Sequence, residues 1–198
     1  MRIGITGGIG AGKSYVSHLL TELYQIPVYD CDREAKRLMT ASPAIRKELT
    51  ALVGTEAYHC DGTLNKPLLA QYVFADEANA NKVNAIVHPV VKADFLRWAE
   101  EQEQSGKKMV AVESAVLIEA GLTPILNKVL VVDAPKDLRL QRALQRDVSS
   151  PELIQQRMAL QESGETYLQH ADFVIINDGR DLKEQLEEII QSITHNYA

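Results

Sequence analysis

Apolar residues recur along this chain in two rhythms. Five short runs have almost no polar interruption: Ile3–Ile5, Ile26–Tyr29, Met109–Val112, Val129–Val132 and Phe173–Ile176. Near-continuous, β-branched runs of this length are expected for strands covered on both faces, as in a parallel sheet. Between them the period lengthens. From Lys13 to Tyr24, Val16, Leu19, Leu20 and Leu23 fall on one helical stripe, and Leu138–Arg146 and Leu182–Ile193 repeat the pattern. Alternating strand and helix predicts an α/β fold, a roughly five-stranded parallel sheet with helices on both faces and right-handed crossovers.

One stretch breaks the alternation. Residues 33–106 contain no convincing strand, only helix-like segments at Ile45–Leu52, Pro67–Phe74 and Ala78–Gln104. The expectation is a helical, substrate-facing insertion within a single domain spanning 1–198, the alternative being ordinary core helices.

The first predicted strand runs directly into G-G-I-G-A-G-K-S, residues 7–14, which satisfies G-x-x-x-x-G-K-[ST]. Glycines let the backbone wrap a phosphate without Cβ clashes, and successive N–H groups then point inward as an anion nest. The helix that follows adds the positive end of its dipole. Lys13 is expected at the β- and γ-phosphates, and Ser14 on Mg²⁺. At average residue usage a chance match in a chain this long is on the order of 1%. A dinucleotide fingerprint fails, because G-x-G-x-x-G counted from Gly10 ends at Tyr15.

Composition narrows the class. Of 198 residues, 21 are Lys or Arg and 27 Asp or Glu, a formal charge of −6. A negative chain lacks the broad basic face that nucleic acid rewards. No apolar run reaches the ~20 residues that span a bilayer. The N-terminus has no long apolar region or cleavage site, and Cys31 and Cys60 lack metal or disulfide spacing, so a reducing cytoplasm is expected.

Switch or kinase is decided by what accompanies the phosphate loop. No D-x-x-G occurs, and Asn127-Lys128-Val129-Leu130 places Leu where a guanine-reading Asp belongs. A small-molecule kinase needs a base near the γ-phosphate, cations for the transition state and an acid for the metal. Asp30-Cys31-Asp32 directly follows the second predicted strand, where ligands of doubly wound sheets sit. A carboxylate here is placed to act as base; the alternative is that Asp32 caps the helix-like segment from Arg33, and both hold if each Asp takes one role. Glu113 ends the third predicted strand and is the candidate metal acid. Glu119 follows, and for both a plain loop carboxylate is an equal alternative. Arg139, Arg142 and Arg146 share one helical face, with Arg157 further on. They make either a solvated face or an arginine-bearing lid over residues 137–168.

The motifs occur in a telling order: T-G-G-I-G-A-G-K-S at 6–14, I-P-V-Y-D-C-D at 26–32, D-G-T-L at 61–64, V-N-A-I-V-H-P at 83–89, L-Q-R-A-L-Q-R-D at 140–147 and A-D-F-V-I-I-N-D-G at 171–179. Together they resemble the dephospho-CoA kinase family over essentially the whole chain. Ala11 replaces the family's usual Ser, Cys31 its Ala, and E-S-A-V-L-I-E at 113–119 its D-x-P-L-L-x-E. The resemblance implies Mg²⁺-dependent transfer of the ATP γ-phosphate to the ribose 3′-hydroxyl of dephospho-CoA. It implies Asp32 as base, with Lys13 and Arg142 also catalytic. It places Gly8, Gly10, Ala11, Gly12, Lys13, Ser14, Tyr15, Arg142, Arg146, Asn177 and Gly179 around ATP. Ser14 and Glu113 would hold the metal, and Asn84, His88, Pro89 and Glu119 would join Asp32 on the acceptor side. The remaining alternatives are another small-molecule kinase, such as a nucleoside monophosphate kinase, and a nucleotide-dependent switch.

Overall fold

The computed structural model of the chain describes residues 1–146, 151–159 and 164–195. Strand β1 (Arg2–Thr6) leads through the glycine loop into α1 (Lys13–Tyr24) and β2 (Val28–Asp30). Four helices follow: α2 (Cys31–Ala41), α3 (Pro43–Val53), α4 (Lys66–Ala75) and α5 (Glu77–Gln104). The alternation resumes with β3 (Val110–Glu113), β4 (Lys128–Asp133), α6 (Lys136–Arg146), α7 (Pro151–Ala159), α8 (Gly164–Gln169), β5 (Phe173–Ile176) and α9 (Leu182–His195).

The strands form one sheet in the order β2-β3-β1-β4-β5. Strand β1 lies parallel to β3 and β4, and β4 lies parallel to β5. The register sets Ile5 opposite Glu113, Thr6 opposite Val131 and Asp133 opposite Ile176. The carboxyl ends of β1, β3, β4 and β5 therefore finish together, and the loops leaving them share one edge of the sheet.

The core is built from those strands and two amphipathic helices. Ile3, Ile5, Ala111, Leu130 and Val132 pack with Val16, Leu19 and Leu20 of α1 and with Leu182, Leu186 and Ile190 of α9. Two expectations need correction. Leu23 is 48% exposed and lies off the buried stripe of α1. Tyr24 packs against the core in its place, since residues 16, 20 and 24 rise up the helix in steps of four. Val174 is 37% exposed, because β5 is an edge strand with one open face rather than a strand covered on both sides.

The chain divides into two compact units, Met1–Tyr29 with Gln102–Ala198, and Asp30–Glu101. In the second, Ile45 and Leu49 of α3 and Phe95 and Ala99 of α5 are fully buried. The Arg46 guanidinium lies 4.7 Å from the Tyr58 ring centre and donates to Gly62 O at 2.6 Å. Tyr58 in turn donates to Met39 O at 2.6 Å. Pro89 stands inside α5, where its ring removes one helical N–H without ending the helix. Among the described residues no helix is long and apolar enough to cross a membrane.

Candidate active site

The glycine loop folds as its sequence requires. Gly10 and Gly12 have φ of 79° and 102°, a region that side chains with a Cβ avoid. Gly12 caps α1, and its carbonyl accepts from Tyr15 N at 3.0 Å and Val16 N at 3.2 Å. A β-carbon on Gly12 would collide with Asn177 Nδ2. Ala11 N closes a turn onto Gly8 O at 3.1 Å. Ala11, where the resemblance would have Ser, is fully buried and uses its carbonyl as a structural acceptor.

Lys13 leans back over this loop and donates to Gly7 O at 3.0 Å and Gly8 O at 3.2 Å. Its ammonium is thus held at the glycine loop. Tyr15 starts the helix but is 51% exposed, so its contribution to the loop is its backbone amide.

Glu113 meets the same helix from β3. Ser14 Oγ donates to its Oε1 at 2.9 Å, and Ser17 Oγ to its Oε2 at 2.6 Å. A hydroxyl and a carboxylate so close are hard oxygen donors that suit Mg²⁺, which takes few protein ligands alongside phosphate oxygens and waters. Among the described residues no group of three or more His, Cys, Asp or Glu is arranged around a metal.

The loop after Glu113 departs from the family pattern at Ala115, and the structure shows what supports it. Buried Ser114 accepts from Val116 N at 3.2 Å, and the Tyr167 hydroxyl donates to Ala115 O at 3.2 Å. Glu119 lies exposed in the turn that follows.

Asn177, just past β5, joins three segments. Its Nδ2 donates to Ala11 O at 2.8 Å and its backbone N to Asp133 O at 2.7 Å. Arg142 of α6 donates from Nη1 to Asn177 O and from Nη2 to Asn177 Oδ1, each at 3.1 Å. Arg142 is thereby oriented by a fork of two bonds rather than left on a solvated face. Arg146, one turn on, is exposed, as is Gly179 with φ of 111°. Asp147 and the Arg157 side chain, like part of the 137–168 segment, lie outside the described residues.

In the second unit, the two acids after β2 take different places. Asp30 is the N-cap of α2, accepting from Arg33 N at 3.0 Å. Asp32 lies inside the helix, exposed and outside the cap. Cys31, between them, is a buried thiol that takes part in no disulfide. On α5, Asn84 and Pro89 are exposed and His88 is half-buried, with burial holding the His88 imidazole below its usual value. Nearby, Leu38 and Ser42 together with Arg37, Asp94 and Arg97 line a cavity of about 470 Å³. Arg37 donates to Asp94 at 2.8 Å, and Arg97 pairs with the same carboxylate.

One residue at this edge escaped the sequence reading, and a second was read without its partner. Ser17 holds Glu113, and its signal is a polar side chain on the apolar stripe of α1, where it is 7% exposed. Arg139 was read as one arginine of a solvated face or phosphate-facing lid, without its place at Gly8. Its Nη1 sits where a Gly8 β-carbon would be.

A family model described as dephospho-CoA kinase matches residues 1–183. The chain is 46% identical over 197 residues to a dephospho-CoA kinase of Bacteroides fragilis, covering 100% of this chain and 93% of that protein. A solved structure from Thermus thermophilus superposes with a TM-score of 0.79 at 31% identity, covering 100% of this chain and 98% of the other. The dephospho-CoA kinase from Campylobacter jejuni superposes at 0.72 and 24% identity, again over 100% and 98%, a likeness of fold.

Proposed function

Since the chain belongs to the dephospho-CoA kinase family, we propose that it transfers the γ-phosphoryl group of ATP to the ribose 3′-hydroxyl of dephospho-CoA, forming coenzyme A in the last step of its synthesis. The observation that carries this reading is the family match over residues 1–183. The Lys13–Ser14–Glu113 cluster beside the glycine loop supports its kinase half.

The chemistry asks little covalent work of the protein, since phosphoryl transfer is driven by positioning and charge stabilisation. Gly8, Gly10, Ala11 and Gly12 wrap the β- and γ-phosphates, the N–H of Ala11 closing the turn and the other loop N–H groups facing the phosphate oxygens. Lys13 balances the charge that passes to the departing ADP. Asp32 accepts the proton of the 3′-hydroxyl as its oxygen bonds to the γ-phosphorus and the bond to the β-phosphate oxygen breaks. Ser14 and Glu113 are the residues that would hold Mg²⁺, which when bound screens the phosphate charge. Arg142, Asn177 and Gly179 flank the nucleotide, and Arg146 belongs to the lid at 137–168. The unit Asp30–Glu101, with Asn84, His88 and Pro89, takes the acceptor, to which Glu119 also belongs. The enzyme so read works in the cytoplasm and requires neither membrane nor nucleic acid.

The test is direct. Purified protein with MgATP and dephospho-CoA should give the 3′-phosphorylated product. An acceptor screen including shikimate and nucleoside monophosphates should give none. Turnover of one of these in place of dephospho-CoA overturns the acceptor assignment, and selectivity for guanine nucleotides overturns the kinase reading.

A further inference from the structure

Among the described residues, two buried side-chain polar atoms have no hydrogen-bond partner: Thr6 Oγ1 and Arg139 Nε. Both stand at the glycine loop. Thr6 is the last residue of β1, directly before Gly7, and Arg139 lies in the first turn of α6. A buried donor without a partner is costly, and Arg139 carries one on a side chain that is itself only partly buried. Such a group persists in a fold when something else requires it there.

The geometry says what that is. Arg139 meets the turn Gly8–Ala11 with two of its parts. Its Nη1 occupies the place of a Gly8 β-carbon, and its backbone carbonyl occupies that of a Gly10 β-carbon. Lys13 holds the same turn through the carbonyls of Gly7 and Gly8. Gly8 is therefore met by two cations, and its own carbonyl accepts Ala11 N to close the turn. The nest that this turn forms is built to take phosphate oxygens. A second positive charge against it raises the nest's affinity for a polyphosphate, while adding nothing to an uncharged partner.

We propose that Arg139 is a further positioning residue of the nucleotide site. It braces the Gly8–Gly10 turn in its anion-binding form and supplies a fixed cation at the triphosphate. This rests on the reading of the loop as the ATP site, and it goes beyond the motif carrying Arg142 and Arg146, which begins at Leu140.

Arg139→Met keeps the side-chain stem and removes the charge and the orphaned donor. Binding of ATP and of ADP, without acceptor, should weaken about tenfold or more, the scale of one charge-assisted interaction. The KM for ATP should rise while that for the acceptor stays the same. The melting temperature of the nucleotide-free variant should be unchanged or higher, and Arg139→Lys should recover most of the affinity. A purely structural residue gives the opposite signs: a lower melting temperature in the Met and Lys variants alike, with nucleotide affinity intact. That result overturns the proposal.

A second variant pair reads the brace itself. Gly8→Ala should weaken ATP binding strongly in the native background and less in Arg139→Ala, where the clashing guanidinium is gone. Equal effects in both backgrounds refute the bracing role. Native protein that binds neither ATP nor ADP sinks the nucleotide-site reading and this proposal together, whereas native binding with an unaltered Met variant sinks the proposal alone.

Discussion

Each oxygen of Glu113 is held by a serine hydroxyl from the same face of α1, and the two serines do different work. Ser14 is the loop residue of the phosphate motif, whereas Ser17, one turn deeper, aims the carboxylate. Hydrogen bonds to charged groups contribute about 1.5–3 kcal/mol, so Ser17→Ala should lower kcat/KM for ATP about tenfold or more. The helix should stay folded, which circular dichroism and steady-state kinetics together would check. Asp32→Asn should act on kcat, by ~10²–10⁴-fold for a positioned base, and leave ATP affinity unchanged. An unchanged kcat removes Asp32 from the proton path. His88 makes a pH prediction. Burial lowers its proton affinity below the usual value of 6.5, so the folded state binds this proton more weakly than the unfolded one. The stability linked to it is complete above the unfolded value and lost as pH falls through the folded one. Melting temperature should therefore drop on acidification from pH ~7 to ~5, with His88→Gln showing a shallower slope.

At the scale of elements, the junction between β1 and α1 leaves little freedom. Gly12 combines a left-handed backbone with the Asn177 amide packed against its Cα. Gly12→Ala should abolish ATP binding and lower Tm by about 2–8 °C, from the roughly 1–2 kcal/mol of a left-handed residue alone. Calorimetry with and without ATP would separate the two losses. This junction was also the most legible part of the sequence, because a glycine at a fixed offset has one physical reason to be there. The five strands were legible as apolar runs, while the exposure of Val174 was not, since strand order decides which run becomes an edge. Asp30 and Asp32 could not be told apart one from the other until the cap geometry assigned Asp30 to Arg33 N. Ser17, and the place of Arg139 at Gly8 rather than its arginine face, were illegible for a shared reason. Their partners, Glu113 and Gly8, are far away in the chain and meet them only where strand ends converge.

For the molecule as a whole, the unit Asp30–Glu101 has its own buried centre around Ile45, Leu49, Phe95 and Ala99. Phe95→Ala should cost about 3–5 kcal/mol, as for other large buried aromatics. The loss should be local to begin with. In native-state hydrogen exchange, amides of α3 and α5 should lose protection before those of β1 and β4, and a uniform loss would mean that the two units open as one. The other unit is closed by Asn177, whose side chain and backbone tie Ala11, Asp133 and Arg142 to the end of β5. Asparagine slowly loses ammonia when the next residue's amide nitrogen swings onto its side-chain carbon. At Asn177 that swing means breaking the Arg142 fork and the bond to Ala11 together. The conversion would also replace a donor with an oxygen aimed at the Ala11 carbonyl, disordering the phosphate loop at a stroke. The same bonds that shape the site therefore set its chemical shelf life: an aged sample should keep Asn177 intact for as long as it stays folded, and lose nucleotide binding in step with the one-dalton gain at that residue when it does not.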